Sequence, residues 1–151
     1  MKSNRVKSRA AKPQDVKEIF RHLSVQSMLG LKSLYGRVIQ DDVINMLIAS
    51  EHSFCILDGA RQVALVFFVR TSQNKYNMFL LFTSRMSKCY NDVQEEILSY
   101  MTQIGDAEFD TLVYEGSNTE QKYVESLGFV QQDGAFVSIE GKKHTMYRKQ
   151  K

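Results

Sequence analysis

The chain has 151 residues, 43% apolar and 25% charged, a balance that fits one globular domain over residues 1–151, large enough to bury a core without disulfides or metal. No apolar run approaches the roughly 20 residues that a bilayer-spanning helix needs, and the basic first residues lack the apolar stretch of a signal peptide. No membrane role and a cytoplasmic location are therefore expected. The net charge of +3 gathers at the ends, in Lys2, Arg5, Lys7, Arg9 and Lys12 and in Lys142, Lys143, Arg148, Lys149 and Lys151. Without interleaved aromatic residues these clusters read as solvated tails and not as a nucleic-acid groove. Cys55 and Cys89 form no C-x-x-C pair, and His22, His52 and His144 lie in unrelated segments, so no metal site is expected and both thiols read as reduced.

Residues 4–10 alternate weakly and can form an edge strand. A helix follows over residues 11–23, with Pro13 and Asp15 in its first turn and Val16, Ile19, Phe20 and Leu23 at helical spacing. Residues 25–36 are punctuated by Ser and Gly and read as an irregular connector. The next helix is expected over residues 40–50, with Val43, Met46, Leu47 and Ile48 facing inward. Asp58-Gly59 between two β-rich runs marks a hairpin, so residues 54–57 and 62–69 should pair antiparallel, and a third run at residues 76–83 completes a meander. A long helix should then run from residue 88 or 90 to residue 104, with Val93, Ile97, Leu98 and Met101 inward and Gly105 as its stop.

The most informative stretch is FDTLVYEGSNTEQKYVESLGF, residues 109–129. Phe109, Leu112, Val113 and Tyr114 form a β-run, and Gly116-Ser117-Asn118 supplies a turn and a helix cap. A helix from about Thr119 carries Tyr123, Val124 and Leu127 on one side and ends at Gly128, so that Phe129 can start a strand.

This string resembles the carboxyl-terminal motif of the GNAT superfamily of acetyl-CoA-dependent N-acyltransferases, which runs Asn-x-x-Ala, a few residues, Tyr, three residues, Gly-Phe. The matching pieces are Asn118 and Ser126-Leu127-Gly128-Phe129. The order of elements agrees over most of the chain, specific residues only in its last third. The resemblance implies an α+β fold, with a central, mostly antiparallel mixed sheet flanked by about four helices. It also implies acetyl-CoA as cofactor and an amine on a small molecule or a protein as acceptor.

Carried onto this sequence, the resemblance places the cofactor arm along Leu81, Phe82 and Thr83, with Asn118 beside it, and the pyrophosphate at the turn Thr83-Ser84-Arg85-Met86-Ser87-Lys88-Cys89-Tyr90. Such a turn works by aiming successive backbone N–H groups at the phosphates. Arg85 matches its first position, whereas Lys88 and Tyr90 stand where small residues are expected. Lys88 can still hold a phosphate as a point charge. The acid that returns a proton to sulfur falls at Val124, with Tyr123 one residue earlier; Tyr123 is either that acid after a local register shift or packed core. Glu115 is the candidate base.

Two functions follow. One is an N-acyltransferase, active or weakened by the altered turn. The other is a non-catalytic binding or assembly protein with a protein partner, similar to small GNAT-like proteins of short-tailed phages, a resemblance carried by residues 114–128.

Overall fold

In a computed structural model that describes residues 5–114, 118–139 and 142–150, a seven-stranded sheet carries helices on both faces. The order along the chain is β1 (Val6–Ala10), α1 (Pro13–Arg21), α2 (Val25–Tyr35), α3 (Gln40–Ala49), β2 (His52–Asp58), β3 (Arg61–Ser72), β4 (Lys75–Phe82), a 3-10 turn (Ser84–Lys88), α4 (Tyr90–Ile104), β5 (Glu108–Tyr114), α5 (Asn118–Ser126), β6 (Val130–Ile139) and β7 (Lys142–Lys149). The strands lie in the order β1-β2-β3-β4-β5-β7-β6, antiparallel throughout except for β4 against β5. The expected meander is present, with Phe54 opposite Val66 and Val66 opposite Leu80.

β3 sits at the centre because its apolar residues run without a break. Val63, Ala64, Leu65, Val66, Phe67 and Phe68 are all fully buried, and successive side chains point to opposite faces. Ala64, Val66 and Phe68 join Phe54, Ile56, Val93 and Ile97 under α4 and α5. Leu65 and Phe67 join Val16, Ile19, Val43 and Met46 under α1 and α3. Burying one such side chain contributes about 1.5–3 kcal/mol, so this strand anchors both layers.

Pro13 opens α1 as its spacing suggests, and Asp15 accepts from the Lys12 backbone N–H at 2.9 Å. The Arg9 guanidinium grips the same carboxylate with bonds of 2.7 and 2.8 Å. Burial alone would raise the pKa of Asp15, but the hydrogen bonds from Arg9, Lys12 and Gln62 win and hold it below the usual carboxylate range. One of the amino-terminal basic residues is thus a structural part of the first helix.

Three expectations are corrected. Residues 25–36 are not irregular: they form α2, which Ser24 caps by accepting from the Ser27 N–H at 3.1 Å and Gly36 closes at φ 73. Its polarity pattern hides it, since Ser27 and Ser33 are buried together with Leu31 while Val25, Met28, Leu29 and Tyr35 lie in the more exposed range. The helix count among the described residues is accordingly five. Ile48, expected inward, is 77% exposed at the outer side of α3. Of the carboxyl-terminal basic residues, Arg148 and Lys149 are not part of a solvated tail either: β7 lies between β5 and β6, its His144 and Tyr147 are buried, and Arg148 and Lys149 are spoken for by Asp110 and the Leu127 carbonyl. Among the described residues no helix is long and apolar enough to cross a membrane.

Candidate functional site

The site follows from where β4 and β5 part company. They pair only at Lys75 with Glu108, Tyr76 with Phe109 and Asn77 with Asp110. On the other edge of β4, the Thr83 N–H donates to the Val63 carbonyl at 2.9 Å, so the odd-numbered residues bond to β3. The backbone groups of Met78, Leu80 and Phe82 therefore point towards β5. Thr111 Oγ1 donates to the Met78 carbonyl at 2.9 Å, the last link before the strands splay. At the far end, the Phe82 N–H donates to Ser27 Oγ at 2.9 Å and the Phe82 carbonyl accepts from the Ser24 N–H at 3.0 Å. The first turn of α2 thus closes the edge of β4 at Phe82, and Leu80 faces the gap between these two closures.

Two cavities open around that gap. The larger, of about 420 Å³, lies at the end of β4 between Val25, Phe82, Met86, Tyr90, Thr119 and Tyr123. Tyr123 is 2% exposed, and its hydroxyl is buried without a hydrogen-bond partner among the described residues. Burial, with added repulsion from Tyr90 and Cys89, pushes the phenol well above its usual range, so it stays protonated. The Tyr90 ring meets it edge-on, with centroids 5.0 Å apart, and the Tyr90 hydroxyl lies 2.9 Å from Ser126 Oγ.

The smaller cavity, of about 40 Å³, lies under α2 against the splayed strands. Gln26, Gly30, Leu80, Thr111, Glu120 and His144 are among its walls, and Gln26 lines both cavities. His144 is 1% exposed and its Nε2 lies 2.8 Å from Ser33 Oγ. Ser33 Oγ gives its own proton to the Gly30 carbonyl at 2.8 Å, so His144 Nε2 is the donor in the other bond. Burial raises the Glu120 carboxyl to about 7.

Of the residues proposed from sequence, Phe82, Thr83 and Tyr123 come together around the larger cavity, and Leu81 lines the smaller one. Asn118 begins α5 but lines neither cavity. Arg85 and Lys88 also line neither; the Arg85 side chain donates to the Gln62 carbonyl at 3.2 Å. In the 3-10 turn the N–H of Arg85 goes to Thr83 Oγ1 at 3.2 Å, that of Met86 to the Thr83 carbonyl at 3.2 Å, and that of Cys89 to the Met86 carbonyl at 3.1 Å. Glu115, with Gly116 and Ser117, lies outside the described residues. Sequence reasoning missed Gln26, Thr119, Glu120 and His144. Glu120 is two residues from Asn118 and had a signal in that proximity; His144 had none, because only the fold brings β7 under α2.

No protein-family model matches the chain, and no curated protein resembles it significantly in sequence. Solved structures nevertheless superpose along nearly its whole length. Ard1 from Thermoplasma volcanium aligns with a TM-score of 0.73 at 12% identity, covering 97% of each chain. The GNAT-family acetyltransferase from Bacillus anthracis gives 0.72 at 12% identity, covering 99% of this chain and 97% of its own. The Salmonella typhimurium acetyl transferase that modifies the N-terminal serine of ribosomal protein L7/L12 gives 0.70 at 9% identity, covering 99% and 96%. This chain has the GNAT acetyltransferase fold.

Proposed function

We propose that the protein is an N-acyltransferase that binds acetyl-CoA in the larger cavity and passes the acetyl group to an amine. The observation that carries this reading is Tyr123, which lines an open cavity at the splayed end of β4 and whose hydroxyl is buried beside it without a partner among the described residues. Leaving such a group unsatisfied costs about 1–3 kcal/mol, a cost that a ligand atom accepting from it would remove. The residues fit the cofactor: Phe82, Met86 and Tyr90 offer apolar contact for an extended arm, Leu80 offers backbone groups in the gap, and Tyr123 offers a proton. Acetyl-CoA, when bound, supplies the activated acyl carbon and a thiolate leaving group. Tyr123 would be the residue to protonate that sulfur. The Salmonella enzyme's N-terminal serine acceptor and the coenzyme A held by the L7/L12 α-N-protein acetyltransferase RimL point the same way. The acceptor is an amine on a small molecule or a protein, and the setting is cytoplasmic.

A second reading has one observation in its favour. The 3-10 turn spends the N–H groups of Arg85, Met86 and Cys89 on its own bonds, so these are not presented to a pyrophosphate. In that reading the fold is kept and catalysis is lost, as in a binding or assembly protein of phage origin. A melting experiment decides. Acetyl-CoA at 100 times its dissociation constant stabilises by about 2.7 kcal/mol, which should raise the melting temperature by several degrees. Millimolar acetyl-CoA with no effect on melting would overturn the first reading.

A further inference from the structure

The larger cavity has a neutral lining. Each described residue in its wall is uncharged: Val25, Phe82, Met86 and Tyr90 give apolar surface, while Gln26 and Thr119 supply a carboxamide and a hydroxyl. Its volume of about 420 Å³ falls within the range of about 300–1,000 Å³ typical of small-molecule sites. The neighbouring groups that could answer a diphosphate are engaged elsewhere. The Arg85 side chain donates to the Gln62 carbonyl on β3 at 3.2 Å, and the amides of Arg85, Met86 and Cys89 are bonded within the turn. The first turn of α4 already carries an anion of its own, Asp92, so a second negative group there gains less from the helix end. A phosphate must be met by cations or donors to leave water, whereas an uncharged chain of methylenes and amides needs only apolar contact and a few hydrogen bonds.

We propose that the site recognises the pantetheine arm of its donor and not the nucleotide diphosphate, so that its substrates are S-acetyl thioesters of that arm with or without a nucleotide attached. The proposal rests on the acetyl-CoA reading above and narrows it. Acetyl-CoA joins an uncharged thioester arm to a charged nucleotide, and the cavity matches the uncharged half. The Gln26 carboxamide, the Thr119 hydroxyl and the Leu80 backbone offer partners for the arm's amides, and Val25, Phe82 and Met86 offer surface for its methylenes. The nucleotide stays in solvent beyond the turn. Lys88 is exposed there, and exposed ion pairs contribute little. The altered turn thus removes the grip on the nucleotide and leaves the place of the thioester open.

Calorimetric titration compares S-acetylpantetheine, acetyl-CoA and adenosine bisphosphate, the nucleotide end alone. The two thioesters should bind with dissociation constants within about threefold of each other, and the nucleotide should neither bind nor displace them. Raising salt from about 50 to about 500 mM should change the acetyl-CoA constant by less than about twofold, because no charge pair carries the binding. Thr119 is exposed and lines the cavity, so Thr119→Trp should fill the space and weaken both thioesters by the same factor, about tenfold or more. Acetyl-CoA binding more than about tenfold tighter than S-acetylpantetheine, or losing about tenfold in affinity with salt, overturns the proposal while the acetyl-CoA reading stands. If S-acetylpantetheine binds and acetyl-CoA does not, the arm site stands and the acetyl-CoA reading falls. If neither thioester binds, or if Thr119→Trp leaves both affinities unchanged, both fall.

Discussion

The two ends of the β4–β5 pair are built on opposite principles. At the closed end, Lys75, Glu108, Asp110 and Arg148 form one ionic network: Arg148 lies 2.6 Å from Glu108 and 2.8 Å from Asp110, and Lys75 lies 3.4 and 3.3 Å from the same two carboxylates. Every charge there meets its opposite across three adjacent strands. At the open end, one phenol is buried with no partner among the described residues, and the strand edges are met by a helix turn instead of each other. A sheet can hold a wedge open only where something else holds it shut, and the ionic network with the three paired rungs supplies that hinge.

The sharpest way to break this comparison is at the closed end. Asp110 is 4% exposed; burial alone would raise its carboxyl, but hydrogen bonds from Arg148 and Lys75 outweigh that and hold it below the usual range. Asp110→Ala should destabilise by about 3 kcal/mol at pH 7, because it leaves two cations facing one half-exposed carboxylate; chemical denaturation measures this. The sign with pH follows from a depressed folded pKa. The stabilisation is fully present above the unfolded value near pH 4 and is lost as pH falls through the folded one. The gap between variant and parent should therefore shrink at pH 3. A gap that stays constant from pH 7 to pH 3 would mean that the carboxylate's charge is not what closes this end.

A smaller effect is expected where α5 leaves the open end. Gly128 has φ 97, and a Cβ there would lie 2.6 Å from Lys149 Nζ, which donates to the Leu127 carbonyl at 2.7 Å. The lysine can swing aside, so the backbone decides, and Gly128→Ala should cost about 1 kcal/mol. A neutral thermal melt would remove the residue's role as helix stop.

The smallest change in stability, and the most telling, is Tyr123→Phe. Removing an unsatisfied buried hydroxyl should leave stability unchanged or raise it by up to about 1 kcal/mol, while acetyl transfer falls about 100-fold. A marked loss of stability would show that the hydroxyl is bonded in the folded protein and that the open end is as well satisfied as the closed one.

These contrasts explain what the sequence could disclose. The meander was legible because Asp58-Gly59 and the apolar run at residues 63–68 obey local rules, and α4 because Val93, Ile97 and Met101 keep helical period. Helix α2 was not, because Ser27 and Ser33 turn inward to serve β4 and β7 while Val25, Met28, Leu29 and Tyr35 are more exposed, a pattern that only makes sense once the strands it caps are in place. Strand β7 was hidden by its charges, of which Arg148 is matched by Glu108 and Asp110 on β5, carboxylates that a linear reading leaves far away. In the candidate site, Tyr123 was visible through the motif around Gly128. Glu120 and His144 were not, since each acquires meaning only from a cavity whose walls come from separate elements of the chain.

The bond from the Phe82 amide to Ser27 Oγ has a consequence for measurement. Most amides of a central strand are held by a neighbouring strand and exchange with solvent only when the sheet opens. The Phe82 proton is held by a side chain on α2, so its exchange rate reads the lifting of one helix from one strand end, separately from the rest of the sheet. Set beside the exchange of Thr83, whose amide is bonded to Val63 in β3, that single proton becomes a clock for how often the roof over the wedge is raised.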